Sequence, residues 1–150
     1  MQNFDLDNFL PYKLSIVSQS ISGLIAKTYE SKFGLTMNQW RVLVIISNHN
    51  PISASEICQR TLIDKMVVSR SVKALRKRKL VLSRPSKQDA RKSKLSLTKT
   101  GSHIYEDIIP IAKRYEHMLL KRLTGLQRTT LDVIFDELMR GVEECDADQN

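Results

Sequence analysis

Glycine is scarce in this chain: five in 150 residues, with four prolines, two cysteines and one tryptophan. Scarce glycine argues against a phosphate-cradling loop, which needs clustered glycines so that backbone N–H groups can converge on an anion. Cys58 and Cys145 are too few for a disulfide framework. Neither they nor His49, His103 and His117 have the spacing of a metal site. No metal and no cofactor is expected. The longest strongly apolar run, residues 42–46, is far short of the roughly 20 residues that cross a bilayer. No basic residue precedes Lys13, and Asp5 and Asp7 lie ahead of it, so no secretory signal is expected. Ser, His and Asp are present, but no nucleophile elbow or paired-carboxylate signature arranges them. A cytoplasmic protein without a membrane partner, and not an enzyme, is the expectation.

Acidic residues are missing from one region in particular. Between residues 65 and 99 there are thirteen of the 24 lysines and arginines, against a single acid, Asp89. The chain as a whole carries a net charge of +8. A merely solvated surface mixes signs, so this one-sided segment calls for a polyanionic partner. The C-terminal end leans the other way, with Glu143, Glu144, Asp146 and Asp148.

Helical periodicity accounts for most of the rest. Leu14, Val17, Ile21, Leu24 and Ile25 recur at three- and four-residue spacing between Pro11 and Gly34, which predicts one long helix over residues 11–33. Phe4, Leu6, Phe9 and Leu10 precede it as an apolar arm too short to bury itself on one helix, and another subunit is the expected cover. Thr36-Met-Asn-Gln39, Ser53-Ala-Ser-Glu56 and Thr124-Gly-Leu-Gln127 are capping boxes that each open a helix. The first of these helices is apolar nearly all round, so it belongs at the centre of the core. Cys58, in the second, is expected as a buried apolar group. Asp64 caps a further helix over residues 65–78, with Val68, Val72 and Leu75 on the inner stripe. Residues 80–84 and 94–98 read as paired strands, Leu95 and Leu97 alternating on one face. Ile104, Ile108, Ile111, Tyr115, Leu119 and Leu123 return to helical spacing, with a kink expected at Pro110. The last helix carries Leu131, Ile134, Phe135, Leu138 and Met139.

Helix, turn, basic helix and a basic two-stranded flap make up a winged helix-turn-helix, mainly α with a small β wing. Such a unit reads duplex DNA. A helix in the major groove needs small or flexible residues at its leading end and a long donor. Met66 and Val67 suit thymine methyls, Ser69 a phosphate or base edge, and Arg70 the guanine or phosphate fork. Lys65 and Lys73 flank them. Arg76, Lys77, Arg78 and Lys79 are assigned to phosphate neutralisation or solubility. At the wing tip Arg91 suits the narrow minor groove, with Asp89 bracing it from behind and Lys87, Lys92 and Lys94 beside the phosphates.

These residues resemble the MarR family of bacterial transcription regulators. The likeness lies in Asp89-Ala-Arg91, Leu95-Ser-Leu97-Thr98 and Gly101, in Leu35-Thr-Met-Asn-Gln-Trp40-Arg41-Val-Leu43, and in Ile63-Asp64-Lys-Met-Val-Val-Ser-Arg70. It implies a homodimer with interleaved terminal helices, each subunit offering a recognition helix and a wing to half of a pseudo-palindromic operator. Residues 36–98 would then be the DNA-binding lobe of a single 1–150 domain, and 4–33 and 99–145 its dimerisation helices. Members usually have glycine where Lys79 stands. Peroxide-sensing members carry a cysteine in the first helix, and this chain has none before Cys58. Leu10-Pro-Tyr-Lys-Leu-Ser-Ile-Val-Ser and Tyr29-Glu-Ser-Lys-Phe-Gly34 are similar to a subgroup associated with aromatic-acid catabolism. That likeness implies a repressor released by a small phenolic or aromatic acid. Trp40 and Arg41 are candidates to stack on and pair with such an effector; the plainer reading gives Trp40 to the core and Arg41 to a structural ion pair. The alternative function is a non-specific nucleic-acid-binding or protein-interaction module without an effector.

Overall fold

The computed structural model describes residues 4–86 and 93–148. A 3-10 turn (Leu6–Asn8) leads into α1 (Leu10–Phe33), α2 (Met37–Asn48), α3 (Ala54–Thr61) and α4 (Lys65–Lys77). β1 (Val81–Pro85), β2 (Ser93–Leu97), α5 (Lys99–Leu120) and α6 (Gly125–Ala147) follow. The chain forms two compact units, Met1–Pro110 and Ile111–Asn150.

Local chemistry sets the helix ends where the sequence places them. Pro11 lies in the first turn of α1, where a missing N–H costs no intrahelical bond. Gly34 ends the helix in the left-handed region at φ 59°, and its N–H donates to the Glu30 carbonyl at 2.9 Å. All three capping boxes form, at Thr36, Ser53 and Thr124. Asp64 Oδ1 accepts from the N–H groups of Met66 and Val67 at 2.7 and 3.3 Å, so α4 starts capped.

The first unit has the core. Val42, Leu43 and Ile46 of α2, Ile57 of α3, and Val68 and Leu75 of α4 have no solvent contact. Each such side chain contributes about 1.5–3 kcal/mol by leaving water. Cys58 departs from its expected place: it is half-buried, one position beyond Ile57 on α3.

β1 and β2 pair antiparallel, with Val81 opposite Leu97 and Ser83 opposite Leu95. Leu95 is buried and Leu97 half-buried. Both strands are offset by one residue from their expected spans, so Pro85 closes the ladder opposite Ser93. A strand end tolerates proline because no further ladder N–H is required there. Ile52 adds a bridge the sequence does not announce: it exchanges two backbone hydrogen bonds with Leu95, at 3.1 and 2.7 Å. This ties the root of the hairpin to the segment just before α3.

The turn after α4 forms without glycine. Lys79 stands at φ 58°, its N–H donates to the Arg76 carbonyl, and the Leu80 N–H donates to the Leu75 carbonyl at 3.0 Å. Thr98 locks the same turn, its hydroxyl donating to the Lys79 carbonyl at 2.7 Å. Gly101 is obligatory one turn into α5, because a Cβ there would collide with the Leu80 carbonyl.

α5 runs unbroken through Pro110. α6, in the second unit, buries no residue; Val133, Ile134, Phe135, Met139 and Val142 are each about half exposed. In the first unit Leu10, Leu14, Ile16 and Val17 of α1 are likewise exposed. Phe4 and Phe9 touch edge to face at 5.1 Å but stay exposed. Among the described residues no helix is long and apolar enough to cross a membrane.

Replacing Lys79 with glycine relieves the left-handed strain, and a gain of about 0.5–1 kcal/mol is expected in urea denaturation. A midpoint equal to or below the parent's would remove the strain argument.

Candidate nucleic-acid interface

The 13 residues of α4 divide by face. Val68, Ser71, Val72 and Leu75 are buried, while Lys65, Met66, Ser69, Arg70, Lys73, Arg76 and Lys77 are exposed. Val67 lies between the two sets and is half-buried. The outer face therefore offers cations, a hydroxyl and one apolar tip, Met66, which is 59% exposed. Cations near a helix C-terminus are also favoured by its partial negative charge. Ser71 extends the expected inner stripe. It is small enough to fit there, but its polarity hid it from an apolar pattern.

Two hollows border this ridge. One, of about 650 Å³, lies between α3 and α4 and is lined by Ala54, Ser55, Cys58, Lys65, Ser69, Val72, Lys73 and Arg76. The other, of about 580 Å³, lies between the end of α4 and β1, with Lys73, Arg76, Lys77 and Lys79 on its walls. Among the described residues, neither is lined by a carboxylate.

Two described acids nearby, Asp64 and Glu56, are occupied within the lobe. Asp64 caps α4. Glu56 completes the α3 capping box and accepts from Lys94 Nζ of β2 at 2.7 Å. The hydrogen bond from Lys94, followed by those from Ser53, lowers the Glu56 carboxyl from its ordinary 4.5 to about 2. This corrects the expected place of Lys94: it joins the wing root to the helix-turn-helix instead of standing free for phosphate. Arg78 is corrected in the same way. Its Nη1 and Nη2 donate to the carbonyls of Gly34 and Phe33 at 2.8 and 2.7 Å. No periodicity could reveal either contact, because each joins residues distant in sequence.

The wing-tip residues Lys87, Asp89, Arg91 and Lys92 lie outside the described residues. Trp40 is half-buried and meets Tyr29 edge to face, centroids 5.2 Å apart. Arg41 is exposed, and among the described residues no salt bridge holds it. The expected structural ion pair is thus not found there. Neither residue lines the two hollows. Among the described residues no group of three or more His, Cys, Asp or Glu is placed to hold a metal.

Residues 33–92 match the family model described as MarR family. Over that segment the chain is similar to the MarR family. The HTH-type transcriptional repressor NicR of Pseudomonas putida is 25% identical over 155 residues, covering 97% of this chain and 92% of NicR. A MarR/EmrR family transcriptional regulator from Acinetobacter sp. ADP1 superposes with a TM-score of 0.86 at 24% identity, over 94% of this chain and 99% of that one. BpsR of Bordetella bronchiseptica, whose DNA binding is regulated by 6-hydroxynicotinic acid, superposes with a TM-score of 0.83 at 20% identity, over 91% and 97% of the two chains. The last two likenesses speak for the fold. Within it, the winged lobe holds its basic helix outward.

Glu56 gives a pH signature. Its folded-state carboxyl titrates near 2 against an ordinary 4.5, so its contribution to stability is complete above about 4.5 and is lost as pH falls toward 2. Glu56→Gln keeps a capping-box residue but cannot titrate. The parent's melting temperature should therefore fall more steeply than the variant's between pH 4.5 and 2; parallel profiles would mean the Glu56–Lys94 pair is not formed in solution.

Proposed function

We propose that this chain is a dimeric, cytoplasmic repressor that binds a pseudo-palindromic site in double-stranded DNA and is released by a small aromatic acid. The observation that carries the reading is the outer face of α4: basic and without an acid, bordered by two basic hollows, and backed by a lobe in which Asp64 and Glu56 are already engaged. In this reading Met66, Val67, Ser69 and Arg70 meet base edges in the major groove. Lys65, Lys73, Lys87 and Lys92 neutralise phosphates. Arg91 enters the minor groove with Asp89 behind it. The exposed apolar faces of α1 and α6 support a second copy of the chain as cover, since such patches mark interaction surfaces. Residues 4–33 and 99–145 then serve as the dimerisation helices around the lobe of residues 36–98.

The aromatic-acid effector is supported by the likeness to NicR and to BpsR, the latter regulated by 6-hydroxynicotinic acid. Trp40 and Arg41 are the proposed ring and carboxylate partners. Release follows if the effector binds more tightly to a dimer whose recognition helices no longer match successive major grooves. No catalytic step enters this reading, and the relatives compared are transcriptional regulators.

Arg70→Ala should cost about 1–3 kcal/mol of specific affinity in a gel shift on the DNA beside its own gene. In the same assay the parent should lose on the order of a thousandfold in affinity between about 50 and 200 mM salt. A flat salt profile, or equal binding by parent and variant, would refute the groove contacts. Hydroxylated nicotinic or benzoic acids at about 100 times their Kd should stabilise the protein by about 2.7 kcal/mol in a thermal shift, where an aliphatic acid of equal charge does not. The same small shift from both would count against an aromatic effector.

A further inference from the structure

The run Arg76-Lys77-Arg78-Lys79 looks uniform in sequence and is not uniform in space. Arg76, Lys77 and Lys79 line the hollow against β1. Arg78 reaches instead to the end of α1. Helix termini leave carbonyls without intrahelical partners. At the end of α1 the Gly34 and Leu35 N–H groups close on the carbonyls of Glu30 and Tyr29. The carbonyls of Phe33 and Gly34 lie beyond that closure, and the Arg78 guanidinium donates one nitrogen to each, at 2.7 and 2.8 Å.

We propose that Arg78 is a positioning residue that fixes the C-terminal end of α4 on the C-terminal end of α1, so that a displacement of α1 reaches the DNA-reading helix. The proposal rests on the reading of α4 as that helix. Three physical points carry it. A guanidinium is a rigid fork that satisfies two carbonyls at once, where an ammonium is a point donor on a flexible stem. Both helices present the partial negative charge of a C-terminus here, so one cation between them is favoured by each. The end of α1 is itself seated: Tyr29 is 1% exposed and Leu35 fully buried. The other half of α1 is free of the lobe, with Leu14, Ile16 and Val17 exposed. One helix thus joins an uncovered apolar face to the base of the reading helix, and Arg78 is the polar link at the junction.

The test compares Arg78→Ala and Arg78→Lys with Lys77→Ala as a neighbouring-charge control. Each is measured on a duplex enriched from a random pool by the parent protein, and on a scrambled duplex, across a salt series. Positioning predicts that both Arg78 variants lose about tenfold on the selected duplex, leave binding to the scrambled duplex and its salt dependence unchanged, and speed amide exchange at residues 34–35 and 78–80 together. Lys77→Ala should leave that exchange as in the parent. The proposal is overturned if Arg78→Lys binds like the parent while Arg78→Ala weakens equally on both duplexes with a shallower salt slope. That pattern belongs to a phosphate contact. It is overturned equally if both variants match the parent. Should Arg78→Ala not fold, Arg78→Lys decides alone, since it keeps the charge and loses the fork. If the parent enriches no sequence, the DNA-reading proposal fails; unchanged exchange in a binding-competent background fails Arg78 only.

Discussion

Val68, Ser71, Val72 and Leu75 share one side of α4, and none is more than 9% exposed. Their burial against α2 and α3 holds the opposite side of the helix in water, with its lysines and arginines spread along a single ridge. Like charges on one helix face repel by a few tenths of a kcal/mol per pair. The inner stripe outweighs this, because each buried aliphatic side chain contributes about 1.5–3 kcal/mol. The fold can therefore carry a surface that is locally unfavourable for itself and favourable for a polyanion. Placing those four residues in the core fixes which way the helix faces, and everything said of its outer surface follows from that.

Not every cation in the basic segment belongs to that surface. Lys94 pairs with Glu56, and Arg78 takes the two carbonyls at the end of α1. The first joins the hairpin to α3, and the second joins α4 to the end of α1. The Ile52–Leu95 bridge stands beside the first of them and holds the hairpin root through the backbone as well. Strong positive charge thus has two uses here, and the sequence shows them as one. Among the described residues, the other lysines and arginines of the segment, from Lys65 to Arg84 and at Lys99, face solvent.

The apolar residues divide in a similar way. Those of α2, α3 and the inner side of α4 are buried within the chain. Those of the outer half of α1 and of α6 follow equally good helical periodicity yet stay exposed. Periodicity reports that a face needs cover and is silent on what provides it. The amphipathic patterns of α1 and α6 would read identically whether the cover were another part of the same chain or a second copy.

What the sequence determined by itself was local: the ends of α1 through Pro11 and Gly34, three capping boxes, the Asp64 cap, the inner stripe of α4 and the pairing of two short strands to within one residue. Each depends on chemistry a few residues wide, and spacing records it faithfully. The tertiary structure decided which charges are spent inside the lobe, that Cys58 borders a hollow instead of filling the core, and that Ile52 joins the hairpin. Those outcomes depend on which residues meet across 40 or so positions of chain, as Arg78 meets Gly34 and Lys94 meets Glu56. A linear pattern has no term for such meetings, because only the packing of the core brings the partners within hydrogen-bond distance.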